Sequence, residues 1–139
     1  MLIGEYSHNI DVKGRLSFPS KLRDDLGVSF IITKGLDDCL FVYSLAEWEN
    51  ITEKINSLPV SKGRALARFF FSGACEVSPD KQGRVLIPQV LRTHANLTKD
   101  VIVIGASNRA EIWDKDKWES ACDSLDATSV EQAMDELGF

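Results

Sequence analysis

Short apolar stretches with two different periods recur along this chain, and they come in two matched sets. Phe30-Ile31-Ile32-Thr33 is β-branched and aromatic and predicts a strand. Gly35-Leu36-Asp37-Asp38 is a turn and Cys39 to Tyr43 a second strand, so the pair predicts a hairpin. The apolar residues then change to helical spacing at Leu45, Trp48, Ile51, Ile55 and Leu58, with Ser44 placed to cap that helix and Pro59 to stop it. Ser61 to Ser72 predicts a further helix whose Leu66, Phe69 and Phe70 can face a core and whose only charges are Lys62, Arg64 and Arg68. The same plan returns downstream: strands at Val101 to Ile104 and Ala110 to Trp113 around a turn at Ala106 to Arg109, then Asp114 capping a helix that carries Trp118. Ala127 to Leu137 predicts a terminal acidic helix.

A second pattern precedes each hairpin. Gly4 to Asn9 alternates weakly and predicts a strand entering a turn at Lys13-Gly14, where glycine tolerates the positive φ of a tight turn. Arg15 to Phe18 is the returning strand, with Leu16 and Phe18 on one face. Pro19 ends it, Ser20 can cap a short helix from Lys21 to Leu26, and Gly27 closes that helix. In the later copy, Cys75 to Val77 is a strand, Asp80 to Gly83 a turn and Arg84 to Ile87 a strand, and Pro88 starts a short helix reaching His94-Ala95.

The two sets are copies. Asp11-Val12-Lys13-Gly14-Arg15-Leu16-Ser17-Phe18-Pro19 recurs about seventy residues later as Asp80-Lys81-Gln82-Gly83-Arg84-Val85-Leu86-Ile87-Pro88. At the same offset Gly4 falls on Gly73 and Leu22-Arg23 on Leu91-Arg92; after a one-residue slip Gly35 falls on Gly105 and Trp48-Glu49 on Trp118-Glu119. Similarity at one fixed period over this length marks an internal duplication. The chain therefore divides into a first repeat with its Trp helix at 1–60, a connecting helix at 61–73, a second repeat at 74–122 and an acidic C-terminal helix or tail at 123–139. A unit of about fifty residues buries little apolar surface alone, and four short strands are too few to close a core. Two interleaved copies sharing one core are expected, in a β-rich α+β fold.

Composition narrows the function. With 139 residues, 44% of them hydrophobic, the chain suits one compact domain or two small intertwined ones. It has no long apolar run and no basic segment ahead of an apolar one at its start, so neither a membrane span nor a secretory signal is expected. Cys39, Cys75 and Cys122 are odd in number and widely spaced, which points to reduced cytosolic thiols rather than disulfides or a zinc site. The net charge of −5 is uneven: from Glu111 onward there are nine carboxylates against Lys115 and Lys117, a net −7, which leaves +2 for everything before. The duplicated motifs thus sit in neutral to basic sequence, and local charge steers a binding face more than the total does. His8 and His94 do not occupy matching positions, and no nucleotide-binding, metal-binding or nucleophile-elbow motif is present, so neither an enzyme nor a cofactor is expected.

The motif carries the remaining chemistry. Its glycine suits a turn and its aspartate can bond the turn backbone. Arg15 and Arg84 can pair with their own aspartate or that of the other motif. Alternatively each offers a planar fork of donors to phosphate oxygens or to the O6/N7 edge of guanine. Lys13, Lys21, Arg23, Lys81 and Arg92 surround them and read together as phosphate clamps. Gln82 stands where Lys13 does, so the two hairpins are not expected to be equivalent in charge. Trp48 and Trp118 read as core anchors, and Phe69-Phe70-Phe71 as core or a subunit interface.

Asp-x-x-Gly-Arg followed by β residues, proline and Leu-Arg resembles the swapped-hairpin DNA-binding module of the AbrB/SpoVT type. Two such modules in a chain of this length, with the Phe69-Phe70-Phe71-Ser72-Gly73 linker and a Trp-containing helix after each hairpin, resemble the bacterial MraZ family over nearly the whole chain. The resemblance implies two intertwined swapped-hairpin β-barrel repeats. It implies a nucleoid-associated transcriptional regulator, whose coding sequence begins the division and cell wall cluster and which binds repeats in that cluster's promoter. It places the DNA-binding surface at Asp11/Arg15 and Asp80/Arg84, with Gly14 and Gly83 shaping the hairpins, and implies closed rings of many subunits. The alternative reading is an oligomeric scaffold that uses the hairpins only for assembly.

Overall fold

Short strands decide the architecture, because none of them can stand on a local hairpin alone. A computed structural model describes residues 1–139. Eight strands form: β1 (Glu5–Asn9), β2 (Arg15–Ser17), β3 (Phe30–Lys34), β4 (Leu40–Ser44), β5 (Cys75–Val77), β6 (Arg84–Leu86), β7 (Asp100–Gly105) and β8 (Ala110–Asp114). Six helices accompany them: α1 (Ser20–Leu26), α2 (Leu45–Asn56), α3 (Val60–Gly73), α4 (Gln89–His94), α5 (Lys115–Asp123) and α6 (Ala127–Leu137). The α+β, β-rich class is as expected.

The pairing of the motif strands is not local. β1 was expected to turn back onto β2, but only the isolated bridge Ile10–Leu16 joins those two segments. Instead β1 pairs antiparallel with β7 of the second repeat, and β5 pairs antiparallel with β3 of the first. β2 and β6 pair with each other, Leu16 opposite Val85. Each repeat thus gives its first strand to the other repeat and shares its second. The result is a six-stranded sheet in the order β1-β7-β8-β4-β3-β5 and a two-stranded ribbon β2-β6. Backbone bonds also link the segments leaving the sheet to the ribbon, from the N–H groups of Asp11 and Asp80 to the carbonyls of Arg15 and Arg84.

The chain stacks in three layers. One face of the sheet gives Phe30, Ile32, Leu40, Val42, Val101, Val103 and Ile112 to a core closed by Leu16, Phe18, Val85 and Ile87 of the ribbon region and by Leu22 and Leu91 of α1 and α4. All of these side chains are essentially out of contact with water. The opposite face gives Phe41, Tyr43 and Trp113 to a second cluster, covered by Trp48 and Ile51 of α2, Phe70 of α3 and Trp118 of α5. Thr33 ties α3 down, its hydroxyl donating to the Phe70 carbonyl at 2.6 Å.

Several local expectations are met and others revised. Ser44 and Asp114 cap α2 and α5, accepting from the backbone N–H of Glu47 and Lys117. Ser20 does not cap α1: Pro19 occupies the cap position and Ser20 is the first helical residue, exposed to solvent. Pro59 does not stop α2, which ends at Asn56; it begins α3, its carbonyl accepting from the N–H groups of Lys62 and Gly63. That placement suits a residue with no N–H of its own. Leu66, expected to face a core, is 37% exposed.

Because the ribbon belongs to both repeats, a defect there should be felt by both. Leu16→Ala is expected to lower stability by roughly 2–5 kcal/mol, the usual range for a fully buried leucine. Urea unfolding followed by fluorescence of the tryptophans should then show one transition at lower urea. Two separated transitions would show that the repeats fold independently.

Candidate nucleic-acid interface

Each motif is a turn built around one carboxylate. Asp11 Oδ1 accepts the backbone N–H groups of Lys13 (3.0 Å) and Arg15 (2.9 Å), and its Oδ2 accepts Arg15 Nε at 2.8 Å. Asp80 repeats the set with Gln82 (2.9 Å), Arg84 (3.0 Å) and Arg84 Nε (3.1 Å). The Gly14 and Gly83 N–H groups close the turns on the carbonyls of Asp11 and Asp80. Both glycines have positive φ, +85° and +77°, which a side chain would strain. Of the two pairings left open by the sequence, each arginine pairs with its own aspartate.

The ribbon then sets the two arginines side by side. Leu16 and Val85 point into the core, so Arg15, Ser17, Arg84 and Leu86 share the outer face. Arg15 lies opposite Leu86 and Arg84 opposite Ser17. The arginine positions are thus two residue steps apart along the ribbon, about 7 Å at strand rise. The arginine side chains are 34% and 29% exposed. The Nε bond is the only side-chain bond either arginine makes. The terminal guanidinium nitrogens therefore remain as unused donors, aimed by a fixed Nε.

Both halves of the chain, residues 1–68 and 70–137, match the family model described as "MraZ protein, putative antitoxin-like". The chain belongs to the MraZ family. It is 55% identical over 143 residues, covering the whole of both chains, to the protein named "Transcriptional regulator MraZ" of Acetivibrio thermocellus. The Caldicellulosiruptor saccharolyticus protein of that name is equally similar, and that of Clostridium tetani is 51% identical over 142 residues, again with full coverage.

In this MraZ-family chain the other basic residues separate into two groups. Lys13 and Lys81 are exposed on the turns and Lys21 on α1. Arg23 and Arg92 are instead partly buried against the motifs: Arg23 Nε donates to the Phe18 carbonyl at 3.2 Å, and Arg92 Nε is buried without a partner. The expected inequality of charge between the two hairpins does not hold, because Lys81 takes the place of Val12. Each five-residue turn carries two cations and one carboxylate, displaced by one position. Ser17 and the 57%-exposed Leu86 also lie on the outer ribbon face, though sequence reading gave them no role. The alternation in Arg84-Val85-Leu86 was the available signal, since an inward valine forces Leu86 outward. The histidines lie elsewhere: half-buried His8 pairs with Val101 on β1, and His94 Nε2 sits 3.0 Å from the Gly35 carbonyl.

The turn geometry also sets the charge state. The Arg15 backbone N–H, chiefly, with the Arg15 side chain and the Lys13 N–H, holds the Asp11 carboxyl below the ordinary 3.8. Asp80 is held below it in the same way, first by the Arg84 backbone N–H. A carboxyl lowered by folding stabilises the turn fully above its unfolded value and loses that effect as pH falls through the lowered folded one. The Arg15 and Arg84 Nε–H signals in NMR should therefore stay protected from neutral pH down past 3.8, the ordinary value, and lose protection only in more acid solution. Loss of protection well above 3.8 would show that the carboxylates do not hold the arginines.

Proposed function

We propose that this protein is a sequence-specific, DNA-binding transcriptional regulator that contacts double-stranded DNA through its paired Asp-x-x-Gly-Arg turns. The supporting observation is the shared ribbon face, on which two arginines are held by Nε and keep their terminal donors free. A pre-aimed guanidinium suits the guanine O6/N7 edge, while exposed Lys13, Lys21 and Lys81 suit phosphates. The full-length similarity to proteins named transcriptional regulators supports the same class and a regulatory role, not an enzymatic one. The DNA we assign is a set of repeats in the promoter of the division and cell wall gene cluster, and the setting a nucleoid-associated one.

One protomer contacts few phosphates, so the reading includes a ring-shaped homo-oligomer that presents the ribbon face several times to successive repeats. Two surfaces support self-association. The α6 helix buries none of its residues and leaves Val130, Met134 and Leu137 exposed at helical spacing. The exposed Lys62, Arg64 and Arg68 of α3 are opposite in charge to the acidic segment that carries α6.

Fluorescence anisotropy with the DNA upstream of the protein's own coding sequence tests the proposal. Arg15→Ala or Arg84→Ala should weaken specific binding by roughly 1–3 kcal/mol, and Lys21→Ala should weaken specific and random DNA alike. Folded arginine variants that bind as tightly as the parent would remove the motif from the interface and favour a scaffold held together by the same hairpins. Affinity should also fall steeply with salt, the logarithmic slope counting the phosphates contacted; a complex indifferent to salt would exclude these lysines as phosphate contacts.

A further inference from the structure

Each motif glycine is covered by an arginine from the other repeat. A Cβ built on Gly14 would lie 2.9 Å from Cζ of Arg92 and 3.1 Å from both its Nε and one terminal nitrogen. A Cβ on Gly83 would lie 2.9, 2.9 and 3.1 Å from Cζ and the two terminal nitrogens of Arg23. Near-equal distances to three atoms of one plane mean that each guanidinium lies flat over the glycine. The backbone crosses in the same sense: Phe18 N–H donates to the Gly83 carbonyl and Ile87 N–H to the Gly14 carbonyl, both at 2.9 Å. In one of the two crossings the contacts form a closed circuit, since the Phe18 carbonyl also accepts Arg23 Nε.

A phosphate contact would use these arginines differently. It would leave the guanidinium edge free to solvent, as Lys13, Lys21 and Lys81 leave their ammonium groups. Arg23 and Arg92 instead turn a face to the turn backbone, and Arg92 Nε is sealed from water. The glycine each covers is the residue directly before the motif arginine. Fixing the glycine fixes the direction in which that arginine leaves the ribbon.

We infer that Arg23 and Arg92 are crossed positioning residues: Arg92 holds the Gly14 turn and so aims Arg15, and Arg23 holds the Gly83 turn and so aims Arg84. Each repeat sets the contact geometry of the other. The binding consequence rests on the DNA-reading role proposed above, but the geometry has its own readout.

Amide hydrogen exchange supplies that readout without DNA. Arg92→Met keeps the apolar stem and removes the plane. It should speed exchange at the Gly14 and Arg15 amides and leave Gly83 and Arg84 unchanged, while Arg23→Met should do the reverse. The second variants, Arg92→Lys and Arg23→Lys, keep the charge and should show the same crossed pattern; thermal melting confirms that all four remain folded. Binding is then read in a double-mutant cycle. Arg92→Met should weaken DNA binding about tenfold alone and in the Arg84→Ala background, and hardly at all once Arg15 is already alanine. Equal effects in both backgrounds, full recovery of binding by lysine, or exchange that rises in the arginine's own repeat would overturn crossed positioning. If no DNA binding depends on Arg15 or Arg84, the DNA reading fails and the exchange pattern alone decides the inference.

Discussion

The antiparallel contact between β2 and β6 is the constraint on which the rest depends. Three residues on each side cannot make a stable hairpin by themselves, and the contact becomes secure only by burying Leu16 and Val85 beneath the six-stranded sheet. Once the ribbon is fixed at the centre, each first strand emerges beside the other repeat, and β1 and β5 pair there. The duplication is thereby turned into one core. The same ribbon puts residues of alternating position on its outer face, so burying one leucine and one valine also decides where Arg15 and Arg84 stand.

The aspartate of each motif divides its arginine into two parts. An aspartate that bonded only the turn backbone would leave the arginine free to rotate, and a free side chain loses rotamer entropy when it meets a ligand. By taking Nε, Asp11 and Asp80 make that payment in the folded state and leave the terminal nitrogens as free donors. The exposed charge pair itself adds little to stability. Its effect is on direction.

Much of this was legible in the sequence, because it is local. The order of strands and helices, the Ser44 and Asp114 caps and the turn role of Gly14 and Gly83 all follow from residues within a few positions of one another, and the duplication from matching such short stretches to each other. Strand partnership did not follow. Alternation shows which face of a strand is buried but not which strand lies beside it, and the weak pattern of Glu5 to Asn9 fits a local hairpin as well as pairing with β7. The placement of Arg23 and Arg92 against the opposite turns was not legible for the same reason. Beside Lys21 in the sequence Arg23 looks like another surface cation, and only the exchanged topology brings Gly83 beneath it. Pro59 shows the smaller version of the problem: a helix breaker marks a boundary without saying whether it closes one helix or opens the next.

What the two copies keep and what they change then separates architecture from surface. Asp, Gly, Arg and the proline are the same in both motifs, and the inward positions stay apolar, Leu16 against Val85 and Phe18 against Ile87. The positions that change in chemical character are Val12 against Lys81, Lys13 against Gln82 and Ser17 against Leu86. All six point outward or stand on the turn, outside the core. A change of character confined to outward positions leaves two turns of one geometry and equal charge but different chemistry at their edges: a lysine near each arginine by a different route, a hydroxyl beside one and an aliphatic side chain beside the other. A face of that kind is two-fold in shape and one-fold in detail. On the DNA-binding reading proposed above, such a face has a defined direction along the duplex, and direct repeats, which all run the same way, are the arrangement that it can meet identically each time.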